Sequence, residues 1–170
     1  MQPISADVIE HADDFIFHLS ENQLKEWLEE LKRKQPYISV AVKFNTNRCK
    51  SKESIDFINR IQLSLIQCFI GYGISFPVIS QKEIDKSTAW YNAKTKEIKE
   101  SGDLDTRVKM IGEIIGQEKL VIYVVSKISY MKDHLVLKNG IQFGNIIGNC
   151  IVLVELYSQK VKKLLPPQSK

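Results

Sequence analysis

Twice the chain places an apolar residue, a serine, and three residues after it a glutamine or glutamate followed by another apolar residue. The stretches are Leu19-Ser20-Glu21-Asn22-Gln23-Leu24 and Ile79-Ser80-Gln81-Lys82-Glu83-Ile84. No other feature constrains the fold as much. The serine oxygen accepts the backbone N–H three residues on, the returning side chain accepts the serine N–H, and the flanking apolar pair staples the first turn. Ser5, between Ile4 and Ile9, has the cap and the staple without the returning Glu or Gln. Helices are therefore predicted to begin at about residues 6, 21 and 81.

The segments after these starts have helical period. Leu24, Trp27, Leu28 and Leu31 form one apolar stripe, so Trp27 is expected in the core. Glu29 and Glu30 stand four residues before Arg33 and Lys34, the favourable order for pairs on a wet face. Pro36-Tyr37-Ile38-Ser39-Val40-Ala41-Val42-Lys43-Phe44 is ambiguous, because its apolar residues alternate as in a strand while Pro at a first helical position suits a helix. No partner strand lies nearby, and an unpaired strand leaves its backbone unsatisfied, so helix is preferred.

Farther on, a long apolar helix is predicted from Glu53 to Ile70, with Gly71 and Gly73 at its C-terminal end. The helix from Gln81 has a thin stripe (Ile84, Thr88, Tyr91, Thr95, Ile98) and is expected at the periphery. Asp103 caps a helix carrying Val108, Ile111 and Ile115; another spans about Glu118 to Met131, and the last Gly140 to Lys163. The expected fold is all-α, a compact bundle of about seven or eight helices in one domain, residues 1–163, with 164–170 as a flexible tail.

An internal echo raises the question of two halves. Ile55–Ile61 and Ile141–Ile147 share Ile-x-Phe-x-Asn-x-Ile at an offset of 86 residues, and residues 34–42 align with 116–124 at an offset of 82. Two pseudo-repeated four-helix halves, 1–75 and 76–163, would produce both matches. Chance similarity between apolar helices would do so as well.

Composition narrows the function. A hydrophobic share of 44% and a charged share of 26% describe a globular chain rather than a disordered one. The N-terminal residues lack a signal-peptide pattern, and the apolar run Ile146–Tyr157 is shorter than the roughly 20 residues of a membrane span. Cys49, Cys68 and Cys150 are odd in number and widely spaced, which fits reduced thiols and a cytoplasmic setting. Net charge is +4, with 10 basic against 12 acidic side chains in residues 1–85 and 14 against 8 in 86–170.

No short motif for nucleotide binding, acyl transfer or zinc proteolysis is present, so no catalytic residue and no cofactor is nominated. Asp7, His11, Asp14 and His18 share one helical stripe and are the residue types that ligate a divalent metal. That stripe adjoins the expected buried face (Val8, Ala12, Phe15, Ile16, Leu19) on its solvent side, and no metal is expected there. His134 is expected in a surface loop.

Two clusters suit phosphate contacts: Arg48, Lys50 and Lys52 in one loop, and Lys160, Lys162 and Lys163 near the end. Neither is interleaved with aromatics. Trp90 and Tyr91 are adjacent on the thin-striped helix, so one of them should face outward as a contact residue. Gly140, Gly144 and Gly148 recur every four residues and would let another helix approach closely, either within the chain or in a dimer. The function expected is non-catalytic, through a protein partner or self-association and without a membrane. The alternatives are a nucleic-acid-associated protein using the basic second half and a motif-free enzyme with its site between the halves.

Overall fold

A computed structural model of the chain describes residues 2–70, 78–98 and 102–164. Among them lie eight helices: α1 (Ala6–Phe17), α2 (Glu21–Lys34), α3 (Pro36–Thr46), α4 (Lys52–Ile70), α5 (Gln81–Ile98), α6 (Leu104–Ile115), α7 (Glu118–Tyr130) and α8 (Phe143–Leu164). The fold is all-helical, as expected, and Pro36–Thr46 is helix rather than strand.

The caps act as the sequence implies. Ser20 N–H donates to Gln23 Oε1 at 2.9 Å, while Ser20 Oγ accepts from Gln23 N–H at 3.4 Å. Ser80 and Glu83 repeat the device at 2.9 and 3.4 Å. Asp103 accepts the N–H of Thr106 at 2.8 Å. Each bond satisfies a first-turn donor that has no partner inside the helix.

Reciprocal hydrogen bonds join the first four helices, α1–α4, to the last four, α5–α8. Gln35 Oε1 accepts the N–H of Ile79 at 2.9 Å, and Gln117 Oε1 accepts that of Ile4 at 2.8 Å. Each glutamine is the residue before its helix and holds the residue before the N-cap serine of the opposite half. Between the α3–α4 and α7–α8 connections the main chain pairs with the same reciprocity: Lys50 N–H to Val136 O at 2.7 Å, Lys138 N–H to Arg48 O at 2.8 Å. Cys49 and Leu137 sit at the centre of this short antiparallel bridge. Ile4 thus corresponds to Ile79, Gln35 to Gln117 and Cys49 to Leu137, at offsets of 75, 82 and 88 residues.

One hydrophobic core is shared by all eight helices. α1 packs on α4, α5 on α8, and α4 crosses α8, where the rings of Phe69 and Tyr157 stack with centroids 5.4 Å apart. These two rings are themselves related by the 88-residue offset. Ile58 and Ile146 are too, and both are completely buried. One polar chain crosses the interior: Asn149 Nδ2 donates to Asn45 Oδ1 at 2.7 Å, and Asn45 Nδ2 to Gln62 Oε1 at 2.8 Å. Gln62 Nε2 reaches the Ile58 carbonyl at 3.2 Å, so the buried amides satisfy one another.

Several expectations are corrected. In these paired contacts Gln35 and Gln117 stand 82 residues apart, and Cys49 and Leu137 stand 88 apart. An offset of 86 would equate buried Ile58 with exposed Gly144. The last helix starts at Phe143, not Gly140, whose φ of +80° places it in the preceding turn. On α1 the inward face is Ile9, Ala12, Asp13 and Ile16, while Val8 and Phe15 are exposed. Asp13 sets this rotation: it accepts from the Tyr123 hydroxyl and pairs with Lys127 at 2.6 Å, both on α7. The expected helix end at Gly71 and Gly73 lies outside the described residues, as does the tail from residue 165; Leu164 still belongs to α8.

Candidate functional site

Helix α3 turns Ile38, Ser39, Val42, Asn45 and Thr46 inward. Its outer face carries Tyr37, Val40 and Phe44, which are 44%, 62% and 55% exposed. Their spacing of three and four residues puts them in one row on the helix surface. A soluble protein tolerates single exposed apolar residues, but a row beside a depression is a recognised form of contact surface.

The depression lies between α3, α5 and α8. It is lined by Tyr37, Val40, Ala41 and Phe44 of α3, by Ile84 and Thr88 of α5, and by Val152 and Leu153 of α8. Asn149 borders it and is fixed by the buried amide chain through Asn45. The Arg48 guanidinium covers one end of the row, 4.3 Å from the Phe44 ring centroid. Gln81 and Asp85, joined by a 2.8 Å hydrogen bond, mark the polar rim. The surface has an apolar centre, a polar edge and a rigid floor, the anatomy of a protein-contact patch.

The residues nominated from the sequence are dispersed. Trp90 and Tyr91 are both half-buried instead of one facing outward. Trp90 lines a charged cleft with Glu83, Lys160, Lys163 and the buried Glu155. Tyr91 packs against Gly148, where an added Cβ would stand 2.9 Å from its Cε1, and burial raises its phenol above the ordinary value of 10.0. The glycine ladder does not form: Gly140 precedes the helix, Gly144 faces open space, and Gly148 alone meets a helix, α5 rather than α4.

The two basic clusters lie on different elements, Arg48, Lys50 and Lys52 between the end of α3 and the start of α4, and Lys160, Lys162 and Lys163 in the last turns of α8. Within them, Lys50 bonds Asn139 at 3.0 Å, Lys52 pairs with Glu21 at 2.9 Å, and Lys162 donates to the Ile115 carbonyl at 3.2 Å. Lys160 pairs with Glu83 at 2.5 Å, and that contact together with the Ser80 N–H lowers the Glu83 carboxyl to about 2. Most of these cations are thus committed to partners within the fold.

Asp7, His11, Asp14 and His18 are all exposed on α1, and His18 Nδ1 contacts the Asp14 carbonyl at 2.7 Å. Among the described residues, no three His, Cys, Asp or Glu side chains converge on a point suited to a metal. Trp27 is half-buried against the core rather than fully inside it. His134 is exposed, as expected. The described thiols Cys49, Cys68 and Cys150 are buried and free, and burial raises the pKa of each.

Sequence reasoning missed the α3 row because the same apolar residues were read by strand alternation, as Ile38, Val40, Val42 and Phe44. Once the stretch is helical, the period separates Ile38 and Val42 from Tyr37, Val40 and Phe44. Comparison of the chain with family models, with curated proteins and with solved structures finds no match.

Proposed function

We propose that this protein is a non-catalytic binding module that docks a protein partner on the α3 surface. The observation that carries the reading is the row Tyr37, Val40 and Phe44, all substantially exposed and all lining the same groove. Aromatic side chains beside a rigid apolar depression concentrate binding energy in a few contacts, and the polar rim supplies orientation. A cytoplasmic setting fits the three free, buried cysteines, which persist unoxidised in a reducing compartment.

Site-specific photo-crosslinking tests this. With a photoreactive residue at Val40, one dominant adduct is expected from cells of the native source, and Phe44→Asp should abolish it while the melting temperature stays close to wild type. A photoreactive residue at exposed Glu29 on α2 serves as the control. Equal, diffuse labelling at both positions would refute the reading. Retardation of DNA or RNA at low salt, reversed by charge substitution at Lys50 and Lys163, would favour the nucleic-acid alternative.

A further inference from the structure

The reciprocal contacts of Gln35 with Ile79 and of Gln117 with Ile4 pair the α3 groove with a counterpart site around α7, and the counterpart is filled. The offsets of 82, 75 and 88 residues carry Ala41 onto Tyr123, Thr88 onto Asp13 and Val152 onto Ser64. There the Tyr123 ring sits half-buried among α7, α1 and α4, with its hydroxyl donating to Asp13. Burial and the Asp13 carboxylate both raise that phenol far above its usual range, so it stays a neutral donor. At the first position Ala41 offers only a methyl, and the cleft between α3, α5 and α8 stands open.

We infer that this groove receives a tyrosine side chain carried by the partner protein, seated beside Ala41 as Tyr123 is seated in the opposite half. The inference rests on the docking reading above and specifies its central contact. Three features of the groove fit the occupant. The cleft measures about 340 Å³, ample for a six-membered ring. Ile84, Val152 and Leu153 provide the apolar walls for that ring. Thr88 stands where Asp13 stands in the filled copy; its hydroxyl donates to the Ile84 carbonyl at 2.9 Å, leaving its lone pairs to accept from a phenol. Because Thr88 is neutral where Asp13 is charged, the seat should release its occupant, unlike the permanent clamp made by Tyr123. The groove continues directly into the exposed Tyr37–Phe44 row, so a partner segment bearing the tyrosine would cover both.

The test uses the full chain, N-acetyl-L-tyrosinamide as the probe, and methyl NMR of Ala41, Ile84, Val152 and Leu153. Saturable shifts confined to these methyls are expected, with N-acetyl-L-leucinamide giving none. The phenylalanine analogue should bind about fivefold more weakly, the worth of one neutral hydrogen bond. Thr88→Val should remove that fivefold preference, and Ala41→Tyr, filling the seat from within, should abolish probe binding and raise the melting temperature. Shifts that centre on the cleft around Leu104 and Val108, equal shifts from the leucine probe, or binding that survives in a folded Ala41→Tyr would each overturn the inference. Should Ala41→Tyr not fold, Thr88→Val decides: an unchanged tyrosine preference overturns it. Failure of the probe with the Val40 adduct intact overturns the tyrosine seat alone. Probe binding without any Val40 adduct supports the seat and removes the docking reading of its surroundings.

Discussion

Gln35 and Gln117 make the same hydrogen bond in opposite directions. Each stands immediately before a helix, with φ and ψ of −138° and 69° for Gln35 and −141° and 49° for Gln117. Each accepts the N–H of the isoleucine that precedes the cap serine of the other half. Ile4 and Ile79 are almost completely buried, so neither N–H has water as an alternative.

Alanine at either glutamine should therefore destabilise by about 1–3 kcal/mol, the cost of leaving a buried donor without its acceptor. The two losses should be similar, since each glutamine serves the N–H of an almost completely buried isoleucine at nearly the same distance. Urea denaturation checks this; a loss below about 0.5 kcal/mol at both, typical of ordinary surface sites, would contradict the assignment.

Glycine spacing in α8 makes a contrasting pair. At Gly148 an added methyl meets the Tyr91 ring at 2.9–3.3 Å, so Gly148→Ala should destabilise by about 1–3 kcal/mol through overpacking. Gly144 faces open space, and Gly144→Ala should stabilise, by up to about 1 kcal/mol, through reduced chain entropy. Thermal melts of the two variants must move in opposite directions.

The clamp between α1 and α7 depends on Asp13, which receives both the Tyr123 hydroxyl and Lys127. Tyr123→Phe removes one hydrogen bond and should cost about 1 kcal/mol. Asp13→Ala removes the acceptor that the phenol and the ammonium share, and should cost at least twice as much. Equal losses, measured by denaturation at neutral pH, would show that Lys127 does not share the clamp.

Acid stability should register the Glu83–Lys160 pair. The folded carboxyl lies at about 2 against an ordinary 4.5. Because the folded value is depressed, its stabilisation is complete above about pH 4.5 and is lost as pH falls towards 2. Glu83→Gln should lower the melting temperature at pH 7 and flatten its dependence on pH between those limits. A parallel profile for variant and wild type would show the pair contributes nothing there.

What the sequence determined was local. Ser20 with Gln23, Ser80 with Glu83, and Asp103 with Thr106 are encoded within four residues, because a capping bond closes across one turn. Helical period likewise fixed the inward positions Leu24 and Leu31 of α2 and the buried length of α4. The match between residues 34–42 and 116–124 has the same 82-residue spacing as Gln35 and Gln117, whereas the Ile-x-Phe-x-Asn-x-Ile match, at 86, differs by two from the spacing of Cys49 and Leu137. Ile and Asn recur in any amphipathic helix, so identity over seven residues does not define register. Only tertiary structure decided that register, through backbone hydrogen bonds between loops 88 residues apart that no local pattern specifies. It also decided the rotation of α1, since Asp13 is drawn inward by Tyr123 and Lys127 more than a hundred positions away. For the same reason the open groove beside Ala41 was invisible in sequence: whether alanine leaves a cleft depends on how far α5 stands from α3.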